Sequence, residues 1–315
     1  MTSVLSAPHF HNEETAYAFV EARIWPNGPT CPHCGCTAEK IGELKGKSTR
    51  IGVRKCYGCR KPFTVKVGTI FEASHVPLHI WLQAIHLICS SKKGISTNQL
   101  KRTLGVAMKT AWFLGHRIRE AMREDRGIFA PPLGVAGKVV EADEAYIGRD
   151  ANKKLKGPGE KQSVLALVER EGMIRTFHVA NVKGGTLRAI VSKHVSAASR
   201  FMTDESNIYA GIGWNFAQHR TVNHTSKEFV RGDIHTNTVE GYFSIPKHGI
   251  TGVYHHVSEA HLRRYLVEFD FRYNNRAALG VNDEMRAERA LVGVKGKRLT
   301  YQTTGGRRTT EARAN

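Results

Sequence analysis

Two Cys-x-x-Cys turns, Cys31-Pro-His-Cys34 and Cys56-Tyr-Gly-Cys59, stand 21 residues apart near the start of this chain and constrain it more than any other feature. Each turn presents two thiolates from one bend, and two such turns supply the four soft ligands that tetrahedral zinc takes. Gly35 and Gly58 suit the close backbone path of the turns. Between them, Lys40 to Leu44 and Ile51 to Lys55 read as short strands with a polar turn, the layout of a zinc ribbon. So small a fold lacks an adequate apolar core, and the metal contributes much of its folding energy. His33 and Cys36 crowd the turns and are read as bystanders, and Cys89 as buried apolar surface. All six cysteines fall in the first third of the chain, which argues against a secreted disulfide scaffold.

The remaining charge favours a polyanionic partner. Lys and Arg number 47 against 28 Asp and Glu, a formal charge of +19, and neutralising phosphates releases counterions. A membrane surface competes in principle. However, the most apolar stretch, Leu78 to Cys89, contains His79, Gln83 and His86 and is too short to span. The first 20 residues carry Glu13 and Glu14 and no basic cluster, unlike a signal peptide. The expectation is a cytoplasmic protein with no membrane partner. Around the ribbon, Arg50, Arg54, Lys55, Arg60 and Lys61 are candidate phosphate contacts.

Beyond the ribbon the periodicity turns helical. Pro77 opens a helix to Cys89, Ser96 caps a short helix over Thr97 to Leu104, Gly105 ends it, and a longer basic helix runs from about Ala107 to Arg123. Helix, short helix, glycine turn and longer helix fit helix-turn-helix DNA binding, with Lys109, Arg117 and Arg119 as candidate contacts. The same periodicity fits any three-helix bundle. Pro131 to Gly134 then breaks regular structure.

Lys138 to Ile147 reads as a strand that carries Glu141, Asp143 and Glu144. Acidic residues are poor strand formers, so their placement asks for a reason; Glu141 and Asp143 share one face and Glu144 the other. A polar loop (Gly148 to Glu160), a hairpin about Arg170-Glu-Gly172, a helix over Thr186 to Val195 and a strand delivering Asp204 and Glu205 follow. Asn237 and Glu240 have capping-box spacing, which puts Glu240 in a first helical turn; Pro246 is expected to end or kink that helix. Ser258 caps a last long helix, with Leu262, Tyr265, Leu266, Phe269 and Tyr273 as its core face. These elements describe a mixed α/β domain. Carboxylates on one strand, at a second strand's end and on a distant helix can converge on paired divalent ions, Mg²⁺ or Mn²⁺, of the kind used in phosphoryl transfer.

At these residues the chain resembles a DDE transposase of bacterial insertion sequences, in the subgroup with an N-terminal zinc ribbon. The resemblance rests on the cysteine turns, Val140 to Gly148, Thr203-Asp204 with Tyr209, His235 to Ser244, and Tyr254 to Ser258 running on to Phe271 to Arg276. It implies a ribonuclease-H-like catalytic fold with Asp143, Asp204 and Glu240 as the metal-binding triad, spaced by 60 and 35 residues. It also implies a basic partner at Lys247, seven residues beyond the glutamate; Pro246 departs from the apolar residue expected before that lysine. Asn237 competes in sequence as third ligand, and Glu240 is preferred because a carboxylate binds Mg²⁺ more strongly than an amide.

The expected organisation is an N-terminal segment with the zinc ribbon (Cys31, Cys34, Cys56 and Cys59) over 1–70, a helical helix-turn-helix-like DNA-binding domain over 71–130, a ribonuclease-H-like DDE domain over 131–290 and a basic flexible tail over 291–315. The resemblance further implies binding of double-stranded DNA at terminal inverted repeats, hydrolysis of the phosphodiester at each element end and joining of the freed 3′-hydroxyl to target DNA. A homo-oligomer on DNA, associated with the bacterial nucleoid when bound, is expected from the pairing of two ends. A nuclease of the same fold that cuts without joining, and a catalytically inactive zinc-dependent DNA-binding protein, are the alternatives. Arg272 and Arg276 are candidate phosphate contacts; His235, His255 and His256 are left outside the site.

Overall fold

The computed structural model describes residues 3–124, 131–147 and 162–300. The expected loop from Gly148 to Glu160 and the last fifteen residues lie outside these. The chain begins with helix α1 (Glu13–Ile24), whose N-cap Asn12 accepts the N–H of Thr15 and whose first turn carries Glu13 and Glu14. Sequence reasoning placed no helix here. The ribbon follows as an antiparallel sheet of β1 (Ile41–Glu43), β2 (Arg54–Cys56) and β3 (Pro62–Phe63). Its only apolar filling is Cys31, Cys56 and Phe63 with half-buried neighbours, Trp25 among them.

The helical layer forms where the periodicity placed it. Helix α2 (Leu78–Ser90) buries Leu78, Trp81, Leu82, Ile85, Ile88 and Cys89. Helix α3 (Thr97–Leu104) starts at Ser96, whose hydroxyl accepts the N–H of Gln99, and stops at Gly105 in the left-handed region (φ 65°). Helix α4 (Met108–Met122) packs on α2, α3 and a later helix, α8. No helix among the described residues is long and apolar enough to cross a membrane.

The second half is built on a five-stranded mixed sheet, in the order β6-β5-β4-β7-β8. Strands β4 (Val139–Ile147), β5 (Gln162–Glu169) and β6 (Ile174–Val179) are an antiparallel meander. Helix α5 (Gly184–His194) then crosses over to β7 (Arg200–Asp204), which lies parallel to β4. Helix α6 (Asn207–Gly213) leads to β8 (Gln218–Val222), parallel to β7. A small hairpin, β9 (Val230–Arg231) and β10 (Ile234–His235), precedes α7 (Asn237–Gly249) and α8 (Glu259–Asn274). The alternation along β4 sorts its side chains: Val140 and Ala142 join a core with α5 and α6, whereas Ala145 and Ile147 join one with α7 and α8. The result is the α/β layering of a ribonuclease-H-like domain.

Three expectations are corrected. Pro246 lies inside α7, buried, and the chain continues past it through a π-helical turn at Ile250–Tyr254, so it does not end the helix. A further helix, α9 (Asp283–Val292), packs on α1, α2 and α4 and so adds to the helical layer, not to the sheet. The stretch read as a flexible tail begins as packed chain: Val294 is buried, Thr69 bridges to Lys295, and the Lys297 ammonium donates to the carbonyls of Ala121 and Arg123.

Candidate active site and metal centre

Strand register brings the first two candidate acids together. β4 and β7 pair in parallel with Glu141 opposite Met202. The same register two residues on sets Asp143 abreast of Asp204, both on the face that looks toward α7. Glu240 arrives from elsewhere, and the residue that brings it is Glu141. This carboxylate is fully buried, and its Oε2 accepts the backbone N–H groups of Thr238 (2.9 Å) and Val239 (3.0 Å), while Oε1 accepts the Thr238 hydroxyl at 2.9 Å. The first N–H groups of a helix have no intrahelical partner, and an anion there also gains from the helix dipole. Arg170 completes the charge balance through Nε at 2.5 Å from Glu141 Oε1, and donates onward to the carbonyls of Asp233 and His235. A strand acid thus does what the expected capping box does not. Asn237 is the first helical residue instead of the cap, and Glu240 accepts the hydroxyl of Thr236, the N-cap residue, at 2.6 Å.

Asp143, Asp204 and Glu240 line one open cleft of about 260 Å³, together with His224 and Thr236. Burial raises the Asp143 carboxyl to about 6, and the neighbouring charges of Asp204 and Glu240 push it the same way, against the Glu144 N–H and the Lys247 ammonium. Lys247 is exposed on α7, 5.7 Å from the centre of the Phe243 ring. Glu144 points to the other face and accepts the Tyr209 hydroxyl; burial raises it to about 7. Asp204 Oδ1 accepts the N–H of Ser206. Glu205, beside it, accepts the N–H groups of His224 (2.9 Å) and Thr225 (3.0 Å) and the Thr225 hydroxyl (2.7 Å), and these bonds, the hydroxyl first, hold its carboxyl at about 2.

Sequence reasoning missed His224 and Thr236 as cleft residues and the clamping role of Glu141. His224 lies in a turn with no motif to announce it; the acidic strand position of Glu141 was a signal, but its partner is 97 residues away. His235 sits 3.4 Å from Glu141, and His255 and His256 are exposed beyond the π-helical turn.

In the ribbon, the sulfurs of Cys31, Cys34, Cys56 and Cys59 lie within 4.8 Å of one another. Cys31 to Cys59 is 3.7 Å and Cys34 to Cys56 is 3.6 Å. Disulfide sulfurs sit about 2 Å apart, whereas four thiolates about 2.3 Å from a central zinc lie near 3.8 Å from each other. The donor set and spacing therefore fit a structural zinc site, with Cys36 outside the four.

Several candidate DNA contacts are instead interior ties. Arg117 donates to the carbonyls of Ile70, Glu72 and Leu299. Arg119 and Arg272 both bond the fully buried Glu268, which also accepts the Tyr254 hydroxyl. Burial alone would raise the Glu268 carboxyl, yet the two guanidinium groups and that hydroxyl hold it at about 2. Arg276 donates to the carbonyls of Gly172 and Tyr273, and Arg54 pairs with Glu21 at 2.5 Å. Arg50, Arg60, Lys61 and Lys109 are exposed.

A four-cysteine ribbon ahead of a ribonuclease-H-like sheet, with intervening helices, defines a protein of the DDE transposase class. A family profile described as an ISXO2-like transposase domain matches residues 134–274, and another described as a transposase zinc-ribbon domain matches residues 11–62. The chain is also 28% identical, over 284 residues, to an uncharacterized protein in transposable element ISH50 of Halobacterium salinarum, covering 84% of this chain and 91% of that one. The chain belongs to the ISXO2-like DDE transposases of insertion sequences, with the zinc ribbon fused ahead of the transposase domain. Membership implies that it binds DNA.

Proposed function

We propose that Asp143, Asp204 and Glu240 hold divalent ions, Mg²⁺ or Mn²⁺, and that the protein cuts and joins DNA at the ends of its own element. The observation that carries this reading is the convergence of three carboxylates from β4, β7 and α7 on one open cleft. The Asp143 carboxyl, raised by burial and by two like charges, marks crowding of negative charge that a divalent cation relieves. An all-oxygen donor set suits such hard ions. Ions held there supply Lewis-acid activation of the attacking oxygen and charge stabilisation of the departing one.

In this reading the protein's helical region over 71–130 and ribbon surface bind the terminal inverted repeats. Arg50, Arg60, Lys61 and Lys109, in the first turn of α4, are among the exposed basic positions there. Lys247 steadies a phosphate beside the carboxylates. Water attacks the phosphorus at each element end; the bond to the 3′ oxygen breaks, leaving a 3′-hydroxyl on the element and a 5′-phosphate on the flank. The 3′-hydroxyl then attacks a target phosphodiester and displaces the target's own 3′ oxygen. Two copies, one per end, work as an oligomer on the cytoplasmic, nucleoid DNA of the cell.

Duplexes carrying the element's flanking repeats test this reading, by comparing the wild type with Asp143→Asn, Asp204→Asn and Glu240→Gln in Mg²⁺. Loss of cleavage and joining by about 100-fold or more in each variant, with DNA binding retained, is the expected result. Undiminished chemistry in all three variants overturns the assignment. Cleavage without joining by the wild type assigns the nuclease alternative, and binding without cleavage the binding-only one.

A further inference from the structure

We propose that His224 is a fourth ligand of the divalent-ion site, sharing one ion with Glu240; this rests on the carboxylate reading above. His224 lines the same cleft as the three acids, although it comes from the turn after β8. Its Nε2 lies 3.4 Å from Glu240 Oε1 and 3.3 Å from the Thr236 hydroxyl. Both distances exceed the 2.7–3.2 Å range of a good N–H···O bond, so the ring makes a long hydrogen bond to Thr236 and a loose contact with Glu240. Two donors at right angles on an ion with bonds of about 2.1 Å lie about 3 Å apart. The observed spacing is a few tenths of an ångström from that, within reach of a side-chain adjustment.

The position is also built. Both Glu205 oxygens hold the turn, one on the His224 N–H and the other on the N–H and hydroxyl of Thr225. Glu205 follows Asp204 directly, so the strand end that delivers one candidate ligand also fixes the backbone of another. The imidazole further packs against Phe229, with ring centres 5.3 Å apart. Anchoring the partners of a ligand in this way is how protein metal sites fix ligand orientation. The Thr236 hydroxyl donates to Glu240 Oε1 at 2.6 Å, which orients that oxygen and leaves it a second lone pair for an ion beside the imidazole nitrogen. An imidazole among carboxylates shifts preference from Mg²⁺ toward Mn²⁺, because nitrogen donors favour the softer transition metal.

Mn²⁺ itself is the probe. The full-length, zinc-loaded protein is titrated with Mn²⁺, binding is followed by loss of the free-ion paramagnetic resonance signal, and the bound ion is examined for ¹⁴N modulation of the electron spin echo. The wild type is expected to show imidazole-type ¹⁴N modulation that Asp143→Asn loses together with bound Mn²⁺. His224→Gln is expected to lose the modulation, keep Mn²⁺ binding about 10-fold weaker, and lose the preference for Mn²⁺ over Mg²⁺. Bound Mn²⁺ with no ¹⁴N modulation in the wild type, or modulation unchanged in His224→Gln, overturns the fourth ligand and leaves the three-carboxylate site standing. Failure of the wild type to bind Mn²⁺ at all overturns both.

Discussion

The Glu141 carboxylate accepts the backbone N–H of Val239 at 3.0 Å, from a strand position 98 residues earlier in the chain. One hydrogen-bonded anion thereby ties the start of α7 to the strand that carries Asp143. Because Glu240 is the next residue after Val239, its place beside the other two acids follows from this tie and not from any contact of its own with them.

Glu141→Gln keeps the volume of the side chain and removes its charge. It leaves Arg170 without its buried partner and weakens the two backbone hydrogen bonds at the start of α7. Breaking a buried pair costs roughly 3–5 kcal/mol; the amide retains acceptor capacity at its oxygen, so a loss of about 2–3 kcal/mol in urea unfolding is expected. Divalent-ion affinity should fall in parallel, although Glu141 itself lines no part of the cleft. A variant with unchanged stability and unchanged ion affinity would show that α7 is held in place by other means.

Metal analysis of the purified protein should give one zinc per chain, bound by Cys31, Cys34, Cys56 and Cys59. Cys34→Ser or a strong chelator should remove it, with the loss of order confined to the ribbon, where apolar packing is thin. Hydrogen exchange would locate the change: fast exchange over β1 to β3, with the five-stranded sheet protected as before. A fully ordered ribbon without metal is the result that contradicts this.

Arginines buried against Glu268 and an exposed lysine on α4 should behave as opposites. Glu268→Gln or Arg119→Met breaks a cluster that joins α4 to α8, and a stability loss of about 3–5 kcal/mol is expected. Lys109→Ala should leave stability within about 0.5 kcal/mol and lower the slope of log affinity against log salt by about 1, if it meets a phosphate. Thermal unfolding and DNA titrations at several salt concentrations separate the two behaviours.

His116 predicts a pH dependence. Burial lowers its imidazole to about 3, helped by Arg119, His261 and Arg264, and neither ring nitrogen has a hydrogen-bond partner among the described residues. The unfolded chain takes up a proton near pH 6.5 whereas the folded one does not until about 3. The unfolded state therefore binds more protons in that window, and stability falls with falling pH at up to about 1.4 kcal/mol per pH unit. His116→Phe should flatten the stability curve over this range, measured by urea unfolding at half-unit pH intervals, and a curve that keeps its slope would remove His116 as the cause.

Much of the fold was legible because local rules decide it. Ser96 and Gly105 bound α3 by a hydroxyl that accepts a free N–H and a backbone that needs positive φ, and both signals act within a few residues. The hairpin of β5 and β6 and the strand ending at Asp204 could be read from alternation and turn residues for the same reason. Basic residues were read less well. Arg117, Arg119, Arg272 and Arg276 look in sequence like any solvent-facing arginine, yet each is committed to a carbonyl or carboxylate supplied by a distant element, Arg272 to the carbonyl of Ile88. Helix α9 escaped because its apolar stripe is short and its partners are far away in sequence, α2 by 193 residues and α1 by 259 at the nearest ends.

The amino-acid sequence by itself determined the four-cysteine ribbon, the helix and strand types, and which carboxylates stand at strand ends or helix starts, because those depend on neighbours a few positions apart. Only the tertiary structure decided that β4 pairs in parallel with β7, that Glu141 caps α7, and that His224 faces Glu240. Those relations join groups distant along the chain, through burial and hydrogen bonds that no local pattern encodes.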